Sequence, residues 1–366
     1  MSKMGKIRAF LQRKDIVFSG KRYGIDAMGA MAQGLFCTLL IGTILNTIGQ
    51  QFNIGFLNTA IVTIGKGEGA VSYTIGGLAS AMVGPGIAVA IGFALHCPSL
   101  VLFSLIPVGF ATNAMGGAGG PLAVYVVAIV ASECGKLISK ETKIDIIITP
   151  IVTILVGIGL AALVAEPIGT GANAVGEAVK WATTKQPFLM GILVSVIVGI
   201  ALTLPISSAA ICAALNLTGL AGGAAVAGCC AQMIGFAVMS FRENRWGGLA
   251  AQGIGTSMLQ MPNIIKNPRI WIPPILASAI TGPLATCLFK LEMNGAAVSS
   301  GMGTCGFVGQ IGVYTGWLET GKVITAFDWI GLALICFILP AVLSWVFCLI
   351  LRKIGWIKEN DLKLEL

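Results

Sequence analysis

Apolar residues run in long blocks along most of the chain, at about 28–49, 71–95, 121–138, 144–165, 188–204, 219–240, 270–289 and 330–351. The blocks lack the strict alternation of a half-buried strand and exceed the ~9–11 residues of a membrane-barrel strand. Most approach the ~20 residues that carry a helix across the hydrocarbon layer. The pattern predicts an all-α polytopic membrane protein with about ten transmembrane or re-entrant helical segments.

The breaks between blocks carry as much information as the blocks. Lipid offers no hydrogen bonds, so irregular backbone at membrane depth persists only inside protein or beside a wet cavity. Glycine- and proline-rich interruptions fall at 84–86, 107–121, 241–263 and 295–316. The piece 97–121 reads as a re-entrant hairpin or an unwound helix, and 246–262 as a segment that enters and returns or unwinds midway. Long span, interrupted stretch and long span recur on both sides of a polar connection at 166–187, expected as an extracellular loop. Paired interruptions point to a transporter site built from structural repeats, here with halves at about 28–165 and 188–352. The two interruptions are expected to meet around one wet hollow. The run from Gly219 to Gly223 and onward, rich in small residues, reads as close helix packing.

Composition agrees with a lipid solvent: 56% of the 366 residues are hydrophobic, 10% are charged, and mean hydropathy is +0.91. Residues 1–27 hold seven cations against two acids, +5 of the chain's net +8. A basic segment beside the first span places the N-terminus in the cytoplasm, as an amphipathic segment on the membrane surface. The same placement of the excess charge argues against a nucleic-acid partner. The tail 353–366 is expected on the cytoplasmic face too, in a plasma membrane. Ten cysteines without metal-ligand spacing and a single histidine give no metal site and no cofactor.

A solute site in a membrane needs polar groups that are held in place and shielded from lipid. The candidates are Asn113, Gly117 and Gly120 in the first half. In the second they are Glu243, Asn244, Gln252, Thr256, Gln260, Asn263, Thr304 and Gln310. His96, beside Pro98, reads first as a helix-end residue and alternatively as a hydroxyl ligand. Amides and hydroxyls at glycine-rich breaks suit the donors and acceptors of a sugar or polyol; exposed N–H groups at half-helix N-termini would equally hold an anion. Arg242 and Arg245 read as charges at the cytoplasmic mouth, with Glu243 either their ion-pair partner or a solute ligand. Glu133 and Lys136, one turn apart, read as a surface ion pair. No carboxylate or histidine interrupts a clean apolar span, which disfavours a proton relay.

The strings FRENRWGGLAAQGIGTSMLQMPNIIKNPRIWIPP at 241–274, GMGTCGFVGQIG at 301–312 and NAMGGAGGP at 113–121 resemble the EIIC-like membrane family of the sugar phosphotransferase system. The similarity is to the branch that includes the perfringolysin-regulator type of protein. The resemblance implies an elevator-type permease component, homodimeric, that shifts a solute-bearing domain against a scaffold. It also implies separate soluble phosphotransferase subunits wherever phosphorylation is coupled, since no soluble domain is fused here. The alternative is a membrane sensor that keeps a permease fold and controls gene expression. An intramembrane enzyme is disfavoured, because no nucleophile and base stand out as a pair and no catalytic residue is expected.

Overall fold

In the computed structural model, residues 9–66 and 69–364 are described. Lys3, Lys6 and Arg8 of the basic N-terminal segment lie outside the described residues. Among those described, six helices are long and apolar enough to cross a membrane. The pair Ile75–Ala81 and Val83–Ala94, bent by 53°, would make a seventh. The chain divides into two compact units, one formed by Met1–Asn46 with Gly55–Thr170 and the other by Thr47–Ile54 with Gly171–Leu366. Among the described residues, a short addition departs from the all-α expectation, an antiparallel pair of strands, Val62–Ile64 and Val71–Tyr73.

In the first unit, Ser99–Gly116 is one continuous helix despite Pro107, and Gly120–Ile138 returns beside it. A Cβ on Gly120 would lie 2.5 Å from Asn113 Oδ1, and one on Gly135 would lie 2.7 Å from Val101, so the two helices form an antiparallel hairpin. The expected unwinding before residue 116 is absent. A proline forfeits one intrahelical bond, and the buried neighbours around Pro107 hold the rest of the helix together. The break falls at Gly117, inside the glycine run of the expected interruption, where a φ of +51° favours a residue without Cβ. Helices here approach through small residues: a Cβ on Gly84 would stand 2.2 Å from Gly109 O.

The polar stretch 166–187 also departs from expectation, because the helix Asp145–Thr183 runs through most of it without a loop. Alanine, glutamate and lysine there are good helix formers, and polarity alone does not end a helix.

The second unit is built on Gly219–Met239, which is almost wholly buried. Pro187–Thr203, Ile272–Pro283 and Leu339–Lys353 pack against it. A Cβ on Gly228 would lie 1.9 Å from Ser195 O, and one on Gly282 would lie 2.1 Å from Gly191 O. The small residues therefore do what the sequence suggested: they let backbones touch. An apolar cluster of Met293, Trp317, Ile335 and Cys336 with Val226 and Cys230 closes the far flank of the central helix.

Candidate functional site

The stretch 241–266 does not span as one helix. Phe241–Ala250 is interrupted at Arg245 (φ 51°, ψ −150°), and a wide π-type turn follows at Ala251–Gly255. A tight turn at Ser257–Gln260 then leads into the short helix Met261–Lys266. Left-handed φ at an arginine is costly backbone, and such strain concentrates at functional positions. π turns do likewise, because they turn side chains to directions a regular helix denies them.

Six of the predicted residues lie on this broken segment: Glu243, Asn244, Gln252, Thr256, Gln260 and Asn263. Gln252 Nε2 donates to Gly248 O at 2.9 Å and to Ser240 Oγ at 2.8 Å. Its Oε1 accepts from Gln260 Nε2 at 2.8 Å, and Gln260 Oε1 accepts from Asn263 Nδ2 at 2.9 Å. Gln252 and Gln260 are fully buried, and Asn263 nearly so. The amides thus form a directed row, each fixing the orientation of the next.

Glu243 stands one residue before Asn244. Its partner is Arg352, from the end of Leu339–Lys353, with Nη2 at 2.6 Å from Oε1. The expectation that Arg242 or Arg245 pairs with Glu243 is therefore corrected: the partner is Arg352, and both of these arginines are exposed. The Glu243 side chain is 6% exposed. Its Oε2 is buried with no hydrogen-bond partner among the described residues. Beside the pair is a cavity of about 190 Å³, lined by Phe241, Arg242, Leu249, Trp345 and Cys348 along with Arg352.

The other predictions resolve differently. Thr256 Oγ1 accepts from Met258 N at 3.1 Å, so it caps the turn. Thr304 and Gln310 face the central helix, Thr304 against Met233 Sδ and Gln310 against Cys230 Sγ at 3.1 Å. Gln310 Oε1 is buried and unpartnered among the described residues. In the first unit Asn113 and Gly120 lie side by side, and Gly117 is exposed at the hairpin tip. His96 ends the helix before Pro98 with φ +55°, its exposed ring 3.2 Å from Asp15. It lines a charged recess of about 310 Å³ with Arg13, Lys14, Asp15, Lys140 and Glu141. Arg22 beside Asp15 holds that carboxyl down at about 2, and Lys14 and Arg13 hold Glu141 below the usual carboxylate range.

Glu133 and Lys136 are not a surface pair. Lys136 is 1% exposed. Its three donors go to Glu133 at 2.9 Å and to the carbonyls of Asp15 and Leu95, each at 3.0 Å. It pins the N-terminal segment to the end of a helix.

Sequence reasoning missed a second polar node. Gln232, fully buried in the middle of Gly219–Met239, accepts from Trp271 Nε1 at 2.9 Å and from Thr203 Oγ1 at 3.3 Å; Thr203 also bonds Ser257 Oγ at 2.7 Å. A lone amide inside an apolar span was the available signal. Among the described residues, no group of three or more His, Cys, Asp or Glu side chains could hold a metal ion.

Long apolar helices around a broken segment with buried amides and an oriented carboxylate define a polytopic membrane protein of the solute-handling kind. The sequence profile of the family described as "Phosphotransferase system, EIIC" matches residues 25–364. The chain belongs to that family, and is a multi-pass membrane component of sugar transport. No curated protein and no solved structure matches it.

Proposed function

We propose that the chain is a sugar permease whose solute contacts lie on the broken segment of the second unit, with Glu243 as the main polar ligand. The observation that carries this reading is the state of that carboxylate. One oxygen is held by Arg352 at 2.6 Å, while the other is buried and unpartnered. A buried acceptor without a donor costs free energy, and a sugar hydroxyl supplies the missing donor as a charge-assisted bond. The neighbouring amides of Asn244, Gln252, Gln260 and Asn263 offer both donors and acceptors. Phe241 and Trp345 provide apolar faces on the adjoining cavity.

In this proposal the protein acts as a homodimer of the plasma membrane with both termini in the cytoplasm. It moves its solute by an elevator-type shift, and separate soluble phosphotransferase subunits phosphorylate the sugar on arrival. The halves at about 28–165 and 188–352 are its two repeats. The test is uptake of a panel of radiolabelled hexoses, hexitols and disaccharides into proteoliposomes, with and without soluble phosphotransferase proteins. Glu243→Gln is expected to lower uptake at least tenfold. Uptake of no sugar by the wild type under either condition, or unchanged uptake by Glu243→Gln, would refute the assignment.

A further inference from the structure

The amide row is already in use. After Leu339–Lys353 the chain turns at Gly355 and runs back over the broken segment in neither helix nor strand. Asn244 reads this segment at two points: its Nδ2 donates to Leu362 O at 2.8 Å, and its Oδ1 accepts from Leu364 N at 2.8 Å. Gln260 Nε2 donates to the same Leu362 carbonyl at 3.0 Å, and Asn263 Nδ2 donates to Lys363 O at 2.9 Å. Asn267 Nδ2 reaches Trp356 O at 2.9 Å and Asp361 Oδ2 at 2.8 Å. Only two side chains of the segment are driven home, Ile357 at 2% and Leu362 at 0% exposure. Lys358, Glu359, Asn360 and Lys363 stay exposed.

These contacts have the form of peptide recognition. Side-chain amides bond main-chain groups that any sequence carries, while one leucine fills a pocket. A segment held this way is also releasable. Its few hydrogen bonds and two anchors oppose the conformational entropy of ordering the whole stretch, so the balance is close.

We infer that Asn244, Gln260 and Asn263, oriented by Gln252, form a binding slot for the main chain of a turned peptide segment with a leucine anchor. Its occupant in cis is the segment 356–364, which competes with solute for the same amides. The competition rests on the permease reading above; the slot does not. While the segment is bound, three of the proposed solute ligands are spent on Leu362, Lys363 and Leu364. Withdrawal of the segment would free them.

Three proteins test this: the wild type, a variant lacking residues 356–366, and full-length Leu362→Glu, whose charge cannot occupy the buried anchor site. The probe is a fluorescent synthetic peptide of residues 356–364, read by polarisation. The peptide is expected to bind the shortened variant and Leu362→Glu at least tenfold more tightly than the wild type. Adding Gln260→Leu and Asn263→Leu to the shortened variant should abolish binding. Sugar uptake by the shortened variant should exceed wild type at least threefold, and the peptide on the cytoplasmic face should suppress it. A folded shortened variant that ignores the peptide overturns the slot. So does peptide binding that survives loss of both amides, or collapse of both variants, which would make the segment an indispensable part of the unit. Peptide binding with uptake indifferent to both segment and peptide overturns the competition. Uptake of no sugar by any variant, with peptide binding as expected, counts against the permease reading and still supports the slot.

Discussion

Replacing Arg352 with methionine removes the charge facing Glu243 and keeps most of the packing of the stem. The carboxylate then remains in a site where its side chain is 6% exposed, with Oε2 unpartnered among the described residues. Breaking a buried pair from one side costs ~3–5 kcal/mol. Arg352 is itself 13% exposed, so water reaches the vacated position and the lower end, about 3 kcal/mol, applies. Glu243→Gln should cost less, about 1–1.5 kcal/mol, because it discards a charge-assisted bond but leaves the guanidinium near solvent with Met239 O still in reach at 3.5 Å. The double variant leaves no buried charge, and about 1–1.5 kcal/mol is expected for it as well. The cycle then gives a coupling of about 3 kcal/mol, roughly a hundredfold in the unfolding equilibrium. Reversible denaturation in mixed micelles, followed by tryptophan emission, measures all four proteins. Additive single effects, with coupling under about 0.5 kcal/mol, would mean that the charges do not sense each other and that Glu243 is not oriented by Arg352.

Other expectations follow from local geometry. Arg245→Gly should raise stability by about 1 kcal/mol, since the φ of 51° then carries no Cβ penalty; an unchanged or lower melting temperature contradicts stored strain there. Gly228→Ala should cost at least ~3 kcal/mol or prevent folding, as its Cβ would sit 1.9 Å from the rigid Ser195 carbonyl. Gly159→Ala, with nothing within 4 Å, should be neutral or slightly stabilising in the same thermal assay. Because Arg22 depresses Asp15 from 3.8 to about 2, that pair's contribution is complete above about pH 4 and is lost as pH falls through about 2. The carboxyl-carbon NMR signal of Asp15 should titrate near 2 in the wild type and move upward in Arg22→Gln; a midpoint near 3.8 in both contradicts the pairing.

Much of the helical architecture could be read from the sequence, because lipid forces every buried peptide group into an intrahelical bond and so writes the helices as apolar runs. The breaks were legible only in part. The glycines at 247, 248, 253 and 255 marked the segmented stretch 241–266, although the one residue with left-handed φ there is Arg245. Pro107 misled, because proline's lost bond is one among many when neighbours clamp the helix. Residues 166–183 misled in the same way, because the helix absorbs Pro167 and the glycines after it. At the site, Glu243, Asn244, Gln252, Gln260 and Asn263 lie within one string, so their grouping was visible. Arg352 lies 109 residues from Glu243 and Leu362 lies 118 from Asn244. No periodicity encodes a pairing at that separation, and both partners belonged to a stretch that reads as an ordinary charged end.

The two buried glutamates differ in the cation that holds them and in the place where they stand. Lys136 has three donors and spends all three, on Glu133 and on two backbone carbonyls. Its ammonium therefore has nothing left for a ligand, and the whole arrangement ties a chain segment to a helix end. Arg352 has five donors and its recorded partners are Glu243, Met239 O and Cys348 Sγ. On the glutamate side, Oε2 has no hydrogen-bond partner among the described residues in a place where water does not reach it. A buried ion pair is weak evidence for stability, since apolar replacements of the same volume often do as well or better. Glu133 likewise keeps Oε1 buried without a hydrogen-bond partner among the described residues, so an unmet bond alone does not single out a ligand. What separates Glu243 is its place on the broken segment, paired with an Arg352 that lines a cavity. There a hydroxyl-rich solute can meet the unmet bond.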